Sequence, residues 1–102
     1  MAEIINKLSD VLAIKDKEPA VWCEACGLFH TFYVNSFSPD GKLWVWDKNP
    51  WKPTFNPSFY KKRKKGEICH FIVKNGQIQY QNDSTHYLKG KIRELSLLPH
   101  WY

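Results

Sequence analysis

The dipeptide Asn75-Gly76 constrains the fold of this chain more than any other feature of the sequence. It separates two short runs in which apolar and polar residues alternate, at residues 68–73 and 78–80. Asn-Gly supports the two positive φ angles of a tight two-residue turn. The sequence therefore predicts an antiparallel β-hairpin around this turn.

The register of this hairpin separates a core face from an outer face. A two-residue loop pairs Val73 with Ile78, and the alternation of side chains then places Cys69 on the core face. His70 lies on the opposite face, and extending the register puts Asp83 on that same outer side. We therefore predict that the adjacent side chains at positions 69 and 70 diverge.

Other parts of the chain also have the character of short strands, because aromatic and β-branched residues cluster between turn residues. Such segments lie at residues 20–22, 28–34, 43–46 and 92–97. Residues 1–18 are interpreted as an N-terminal extension whose apolar residues fit either a helix or a strand. Residues 19–102 then form a single compact, mainly β antiparallel domain, with a small α+β arrangement as the alternative if the N-terminal helix forms.

Composition excludes several other classes of protein. The chain has 102 residues, of which 43% are hydrophobic and 16% aromatic, so it is not intrinsically disordered. No apolar run approaches the ~20 residues of a membrane-spanning helix. The N-terminus lacks the features of a secretory signal peptide. We therefore expect a cytoplasmic protein, located in the host cytoplasm if a phage encodes it, with no membrane partner.

Cys23 and Cys26 form a Cys-x2-Cys turn followed by glycine, a spacing at which two thiolates can bind one Zn²⁺ ion. Zinc needs two further ligands, and Cys69 is the natural third. We take His86 as the fourth and keep His30 as the alternative. Metal binding would hold together a small domain with a thin core. The competing interpretation is three buried cysteines without a metal.

The outer face of the hairpin carries a candidate catalytic group. A carboxylate such as Asp83 beside His70 can orient the imidazole as a general base for a nearby hydroxyl. We choose Ser58 as the nucleophile because two prolines stiffen the segment that precedes it, and Ser84 and Thr85 are other hydroxyls nearby in sequence. The competing interpretation is that Asp83 only caps the following turn.

The positive charge of the chain is concentrated in one segment. The formal net charge is +5, and it comes from a continuous basic run. That run consists of Lys61, Lys62, Arg63, Lys64 and Lys65. It is predicted to be a loop between two strands, either merely solvated or in contact with phosphates or an acidic protein surface. Trp51, in a proline-rich loop, is the best candidate for an exposed aromatic contact.

Four ordered motifs together resemble a family of small phage and bacterial proteins, some of which carry the label "ammonia monooxygenase". The motifs are Cys-x2-Cys-x3-His (Cys23, Cys26, His30), Pro-Thr-x2-Pro-Ser (Pro53, Thr54, Pro57, Ser58), Cys-His with a later Gly (Cys69, His70, Gly76) and Asp-x-Thr-His-x-Leu-x-Gly (Asp83, Thr85, His86, Leu88, Gly90). The resemblance extends over about residues 20–101. Members of this family occur beside bacterial ubiquitin-like conjugation genes, which implies a peptidase or deconjugase activity.

The resemblance implies roles for residues at the matching positions. Its motifs point to Ser58, to the pair Cys69 and His70, and to the pair Asp83 and His86, and the cysteines look like zinc ligands of such proteins. The chain departs from many relatives in having Ser84 where they carry another cysteine. The basic run at 61–65 is a second departure.

These observations lead to two functional hypotheses. The first is a zinc-binding serine-type hydrolase that acts on peptide, isopeptide or ester bonds, such as those at the tail of a ubiquitin-like protein. The second is a non-enzymatic, phage-encoded module that binds nucleic acid or a host protein through the basic run and Trp51.

Overall fold

The computed structural model of the chain describes residues 5–63 and 65–99, and the regular structure within these ranges is entirely β-strand. Nine strands follow one another along the chain. They are β1 (Ile5–Lys7), β2 (Ala13–Lys15), β3 (Glu18–Cys23), β4 (Leu28–Thr31), β5 (Val45–Trp46), β6 (Phe55–Lys62), β7 (Ile68–Lys74), β8 (Gln77–Tyr80) and β9 (Ile92–Glu94). The prediction of a mainly β antiparallel domain is confirmed.

The strands form two antiparallel sheets in which each strand pairs with its neighbour in sequence. The first sheet has the order β1-β2-β3-β4, and the second has the order β5-β6-β7-β8-β9. Such meanders need only short connections, which suits a chain of this length. The described residues contain no helix of the length and apolarity needed to cross a membrane.

The two sheets pack against each other through a layer of aromatic side chains. Phe32, which follows β4, stacks on Phe55 of β6 with 4.0 Å between ring centroids. The same ring meets Phe59 and Phe71 edge-on, at 5.5 and 6.0 Å. Offset-stacked and edge-to-face contacts of this kind add to the free energy gained from burying the rings. The second sheet therefore has one buried face and one outer face.

The predicted hairpin is confirmed, including its register. β7 and β8 pair with Val73 opposite Ile78, and the turn residues Asn75 and Gly76 have φ angles of 50° and 77°. Cys69 is buried, as its position on the core face predicts. Local turn geometry thus fixes which face of the second sheet each side chain occupies.

The N-terminal segment contains strands where the sequence also allowed a helix. β2 pairs with β3, with Ala13 opposite Ala20, and Leu12 is fully buried in the common core. The backbone N–H of Leu98 donates to the carbonyl of Asp10 over 2.8 Å, which connects this segment to the end of the chain. Pairing with β3 prevails over the helical spacing of the apolar residues, because tertiary context routinely overrides propensity.

Three of the predicted strands are shorter than the sequence indicated. The segment at 28–34 forms only β4, the segment at 43–46 only β5, and the segment at 92–97 only β9. Trp44, just before β5, is buried and stacks on Phe59 with 5.8 Å between ring centroids. Packing between the sheets, rather than strand pairing, therefore holds this part of the chain.

Candidate active site and metal centre

Ser58 lies in an irregular part of β6. The pairing of β6 with β7 is interrupted between Phe55, opposite Val73, and Phe59, opposite Phe71, so β6 has extra residues at this point. The peptide bond between Asn56 and Pro57 within this stretch is cis. Such β-bulges change the direction of a side chain, and they occur often beside active sites.

The bulge brings Ser58 to His70. Regular pairing resumes with Tyr60 opposite His70. The Oγ atom of Ser58 lies 3.0 Å from Nε2 of His70, which is hydrogen-bond distance. The ring of Tyr60 meets the imidazole edge-on, with 5.3 Å between ring centroids, and so restricts its orientation.

Asp83 holds the other nitrogen of the same imidazole. Its two carboxylate oxygens lie 2.9 and 3.0 Å from Nδ1 of His70. An ionised carboxylate only accepts hydrogen bonds, so Nδ1 carries the proton and Nε2 of the neutral ring accepts from the hydroxyl of Ser58. Among the described residues, Asp83 makes no hydrogen bond to the backbone amides of its turn. The structure therefore shows Asp83 bound to His70 and not capping the turn that follows it.

Ser84 and Thr85 position the turn that carries Asp83. The buried hydroxyl of Ser84 accepts from the backbone N–H of His70 and donates to its carbonyl, both over 3.0 Å. The hydroxyl of Thr85 accepts from the backbone N–H of Ile68 over 2.9 Å. Both hydroxyls, which the sequence offered beside Ser58, are thus bound to the backbone of β7. Sequence spacing carried no signal for this positioning role.

A second polar cluster lies inside the protein, where the two sheets meet. Cys23 is the last residue of β3, Cys26 follows in the turn, and Cys69 comes from β7 of the second sheet. Gly27 donates its N–H to the carbonyl of Cys23 over 2.8 Å and has a φ of 69°, which closes the turn. His30 of β4 completes the group, and its four candidate ligand atoms all lie within 4.8 Å of one another.

His30, rather than His86, lies with the three cysteines. The side chain of His30 is 2% exposed, and its Nε2 atom is buried without a hydrogen-bond partner among the described residues. His86, favoured from the sequence as the fourth ligand, is outside this group and borders a cavity of about 210 Å³ beside Cys26 and Cys69. Its Nδ1 atom accepts from the backbone N–H of Leu88 over 3.3 Å, and its Nε2 atom, like that of His30, is buried without a hydrogen-bond partner among the described residues. Proximity to all three sulfurs is what distinguishes His30. We therefore replace His86 with His30 in the candidate ligand set.

Hydrogen bonds between the thiols lower the pKa of one cysteine and raise the pKa of the other two. Hydrogen bonds from Cys26 and Cys69 lower the pKa of Cys23. The same hydrogen bonds to Cys23 raise the pKa of Cys69 and of Cys26. Burial, followed by the hydrogen bond to Cys23, raises the pKa of Tyr80, whose hydroxyl lies 3.3 Å from Cys23 Sγ.

The dimensions of the cluster fit one tetrahedral ion. Zinc–sulfur bonds of ~2.3 Å in tetrahedral geometry place two sulfurs about 3.8 Å apart. The Sγ atoms of Cys23 and Cys69 are 3.9 Å apart. His30 adds a ring nitrogen to the three sulfurs, which completes a Cys3His donor set. Such a set, with no carboxylate and little exposure, is typical of structural zinc sites.

The basic run begins in the strand that carries Ser58 and comes close to the Cys/His group, because Arg63 borders the cavity beside Cys26 and Cys69. Lys61 and Lys62 belong to β6, opposite Cys69 and Ile68, so the predicted loop is shorter than the sequence indicated. Arg63 is half-buried, Lys65 is exposed, and Lys64 lies outside the described residues. Trp51 is exposed, as predicted. The structure provides no contact between Trp51 and the basic residues that it describes.

The fold and the two clusters define a small two-sheet β protein with a Ser–His–Asp hydrogen-bonded group on one face and a buried Cys/His group. Residues 4–81 match the family model described as "Bacterial ubiquitination-like system serine protease (BubE)", and the chain belongs to this family. The association with bacterial ubiquitin-like systems, which the resemblance implied, is thus confirmed at the level of the family. Comparison with curated proteins and with solved structures gives no match.

Proposed function

We propose that this protein is a serine hydrolase in which Ser58 is the nucleophile, His70 the general base and Asp83 the group that orients the base. The observation that carries the proposal is the unbroken hydrogen-bonded series from Ser58 Oγ through His70 to the Asp83 carboxylate. Nucleophile, base and orienting acid within hydrogen-bond distance are the signature of an activated serine.

The geometry supports the following sequence of steps. Ser58 Oγ attacks the acyl carbon while Nε2 of His70 takes the hydroxyl proton, and Asp83 stabilises the resulting imidazolium. His70 then gives that proton to the leaving nitrogen or oxygen as its bond to the acyl carbon breaks. Water, deprotonated by His70, hydrolyses the acyl-serine and restores the enzyme. The net reaction adds one water across the cleaved bond.

The family name supports a protein substrate, and we propose a peptide or isopeptide bond at the tail of a ubiquitin-like protein. A serine nucleophile with a neutral histidine base suits acyl transfer from such bonds. The outer face of the second sheet leaves the site accessible to a macromolecule, because His70 and Asp83 keep 25% and 51% of their side chains exposed.

We also propose that Zn²⁺ binds to Cys23, Cys26, His30 and Cys69 with a structural role. Bound zinc would cross-link the two sheets, because Cys69 comes from β7 and the other three ligands come from β3, β4 and the turn between them. Metal binding to preformed ligands contributes directly to the free energy of folding. The hydrolytic steps above need only the three residues of the Ser–His–Asp group.

An active-site-directed probe tests the hydrolase proposal. Treatment with a fluorophosphonate should add one covalent label, and peptide mapping by mass spectrometry should locate it on Ser58. The Ser58→Ala variant should lose labelling and ester hydrolysis. The control variant Ser96→Ala should keep both, because within the described ranges the hydroxyl of Ser96 donates only to the adjacent carbonyl of Leu97. Equal labelling of Ser58→Ala and the unmodified chain, or a folded protein that neither labels nor hydrolyses esters, overturns the proposal.

A further inference from the structure

A cleft of about 570 Å³ lies between the two sheets and is bordered by the strand that carries Ser58. Residues Phe29–Thr31 of β4 form one wall, and residues 59–62 of β6 form the facing wall. Trp44 lies at the end nearest Ser58, where its indole Nε1–H donates to the Ser58 carbonyl over 3.4 Å. One end of the cleft is therefore close to the backbone of the proposed nucleophile.

The wall formed by β6 has an open strand edge. The pairing of β5 with β6 ends at Asn56, so among the described residues positions 59–62 pair on one side only, with β7. At this edge the carbonyl of Tyr60 accepts from the Nζ atom of Lys42 over 3.3 Å, in place of a strand partner. A flexible lysine is displaced more readily than a strand. An extended polypeptide could thus pair with this edge, as in recognition by β-strand addition.

The charges around the cleft are predominantly positive. Lys42, Lys61 and Lys62 border it and are exposed. Asp40, the carboxylate on its rim, is already engaged by the hydroxyl of Ser38 and by Lys42 at 3.6 Å. Acidic side chains on an added strand would therefore meet complementary charge, which raises association rates and selects the partner.

We propose that this cleft binds an extended, acidic polypeptide segment as an additional strand along residues 59–62, which leads the segment to Ser58. The inference rests on the proposed function in one respect: it identifies the bound segment as the part of the substrate next to the cleaved bond. At ~3.3 Å per residue, the distance along β6 from Ser58 to Lys62 accommodates about four to five residues. Nucleic acid fits less well, because it cannot continue the backbone hydrogen-bond ladder of a strand edge.

Binding to Ser58→Ala tests the cleft independently of turnover. The probe is a fluorescein-labelled peptide of about six alternating valine and glutamate residues, and anisotropy measures its Kd. Lys61→Glu/Lys62→Glu in this background should raise the Kd by about tenfold or more. The control pair Lys74→Glu/Lys89→Glu, exposed and outside the cleft lining, should leave the Kd unchanged. A peptide with lysine in place of glutamate should not bind.

N-methylation of the peptide backbone tests strand addition itself. One edge of a strand presents the N–H groups of alternate residues, so methylation in one phase should abolish binding and methylation in the other should not. Any of four results overturns the inference. The first two are no binding of the peptide and equal Kd values for the cleft variant and the control pair. The other two are equal binding of both methylated peptides and tighter binding of a single-stranded oligonucleotide.

Hydrolysis of a small acetyl ester separates this inference from the proposed function. The ester is too small to need the cleft, so the unmodified chain and the control pair Lys74→Glu/Lys89→Glu should hydrolyse it at the same rate. Loss of peptide binding by Lys61→Glu/Lys62→Glu, together with ester hydrolysis by the unmodified chain, supports both the inference and the proposed function. A folded, unmodified chain that binds the peptide but does not hydrolyse the ester removes the hydrolase proposal and leaves the binding cleft.

Discussion

Cys69 and His70 are adjacent in β7, yet they belong to two different clusters on opposite faces of the second sheet. Cys69 Sγ lies 3.9 Å from Cys23 Sγ in the interior, whereas Nδ1 of His70 lies 2.9 Å from Asp83 on the outer face. One strand therefore connects the candidate metal centre to the candidate active site. We expect the two clusters to be separable by mutation, because no side chain is common to both.

The first prediction concerns the carboxylate of the Ser–His–Asp group. Asp83→Asn should lower kcat for ester hydrolysis on the order of 10³–10⁴-fold, because the amide no longer enforces the productive tautomer of His70. The melting temperature should change little, because a half-exposed pair contributes little to stability. The control Asp16→Asn, in an exposed turn, should keep full kcat. A kcat of Asp83→Asn near that of the control would contradict the assignment of Asp83.

The second prediction compares the two hydroxyls that position Asp83. Ser84→Ala leaves the N–H of His70 without its partner, while the His70 carbonyl still accepts from the N–H of Gln81, so the change should cost about 1–3 kcal/mol of unfolding free energy. Thr85→Val removes the hydrogen bonds between the Thr85 hydroxyl and the N–H and carbonyl of Ile68, but Thr85 is exposed where Ser84 is buried. At a temperature where both variants are folded, kcat should fall further for Ser84→Ala. Denaturant unfolding and ester kinetics measure both effects, and equal kcat values would show that Ser84 is only structural.

The third prediction decides between the two histidines at the metal centre. Elemental analysis of the unmodified chain should find one zinc per chain. His30→Gln should lose this zinc, because His30 lies within 4.8 Å of the three cysteine sulfurs, whereas His86→Gln should retain it. If His30→Gln kept its zinc and His86→Gln lost it, His86 would be the fourth ligand, as predicted from the sequence alone.

The fourth prediction concerns the role of zinc in stability. Removal of the metal by a strong chelator should lower the melting temperature by at least about 10 °C, because ligand binding to the folded state is part of the folding free energy. Differential scanning fluorimetry measures the shift, and the same chelator saturated with zinc serves as the control. An unchanged melting temperature after verified zinc removal would exclude the structural role.

The fifth prediction concerns the hairpin turn that sets the register of β7. Gly76→Ala should destabilise the protein by about 1–2 kcal/mol through its φ of 77°, and further because the new Cβ would lie 3.0 Å from the Cα atom of Lys52. The control Gly41→Ala has a φ of 82° with no atom within 4 Å of the new Cβ. Gly76→Ala should therefore have the larger effect in urea unfolding. Equal effects would mean that the contact with Lys52 relaxes without cost.

The register of the hairpin could be predicted because its cause is local. The positive φ angles at Asn75 and Gly76 fix the loop length, and side-chain alternation then assigns a face to each residue of β7 and β8. The candidate group of Ser58, His70 and Asp83 could be named from this register and from a family resemblance. The distances within it could not be predicted, because they depend on the bulge in β6 that brings Ser58 to the imidazole.

The identity of the fourth residue in the Cys/His group depends on how the two sheets pack. His30 and His86 are both histidines near cysteines in sequence or register, and spacing alone left them as alternatives. Packing of the first sheet on the second buries His30 against Phe59 and Phe71, with ring centroids 4.7 and 5.6 Å apart, and so directs it to the cysteines. The extent of β6 likewise depended on its partner, because pairing with β7 extends the strand through Lys62.

The sequence by itself determined the class of fold, the hairpin and the divergence of residues 69 and 70, because turn chemistry and strand alternation act over a few neighbouring residues. Only the tertiary structure decided that His30 lies with the cysteines, that Ser84 holds the backbone of His70, and that an open strand edge borders a lysine-lined cleft. These features join residues far apart in the chain, so they exist only once the two sheets have paired and packed.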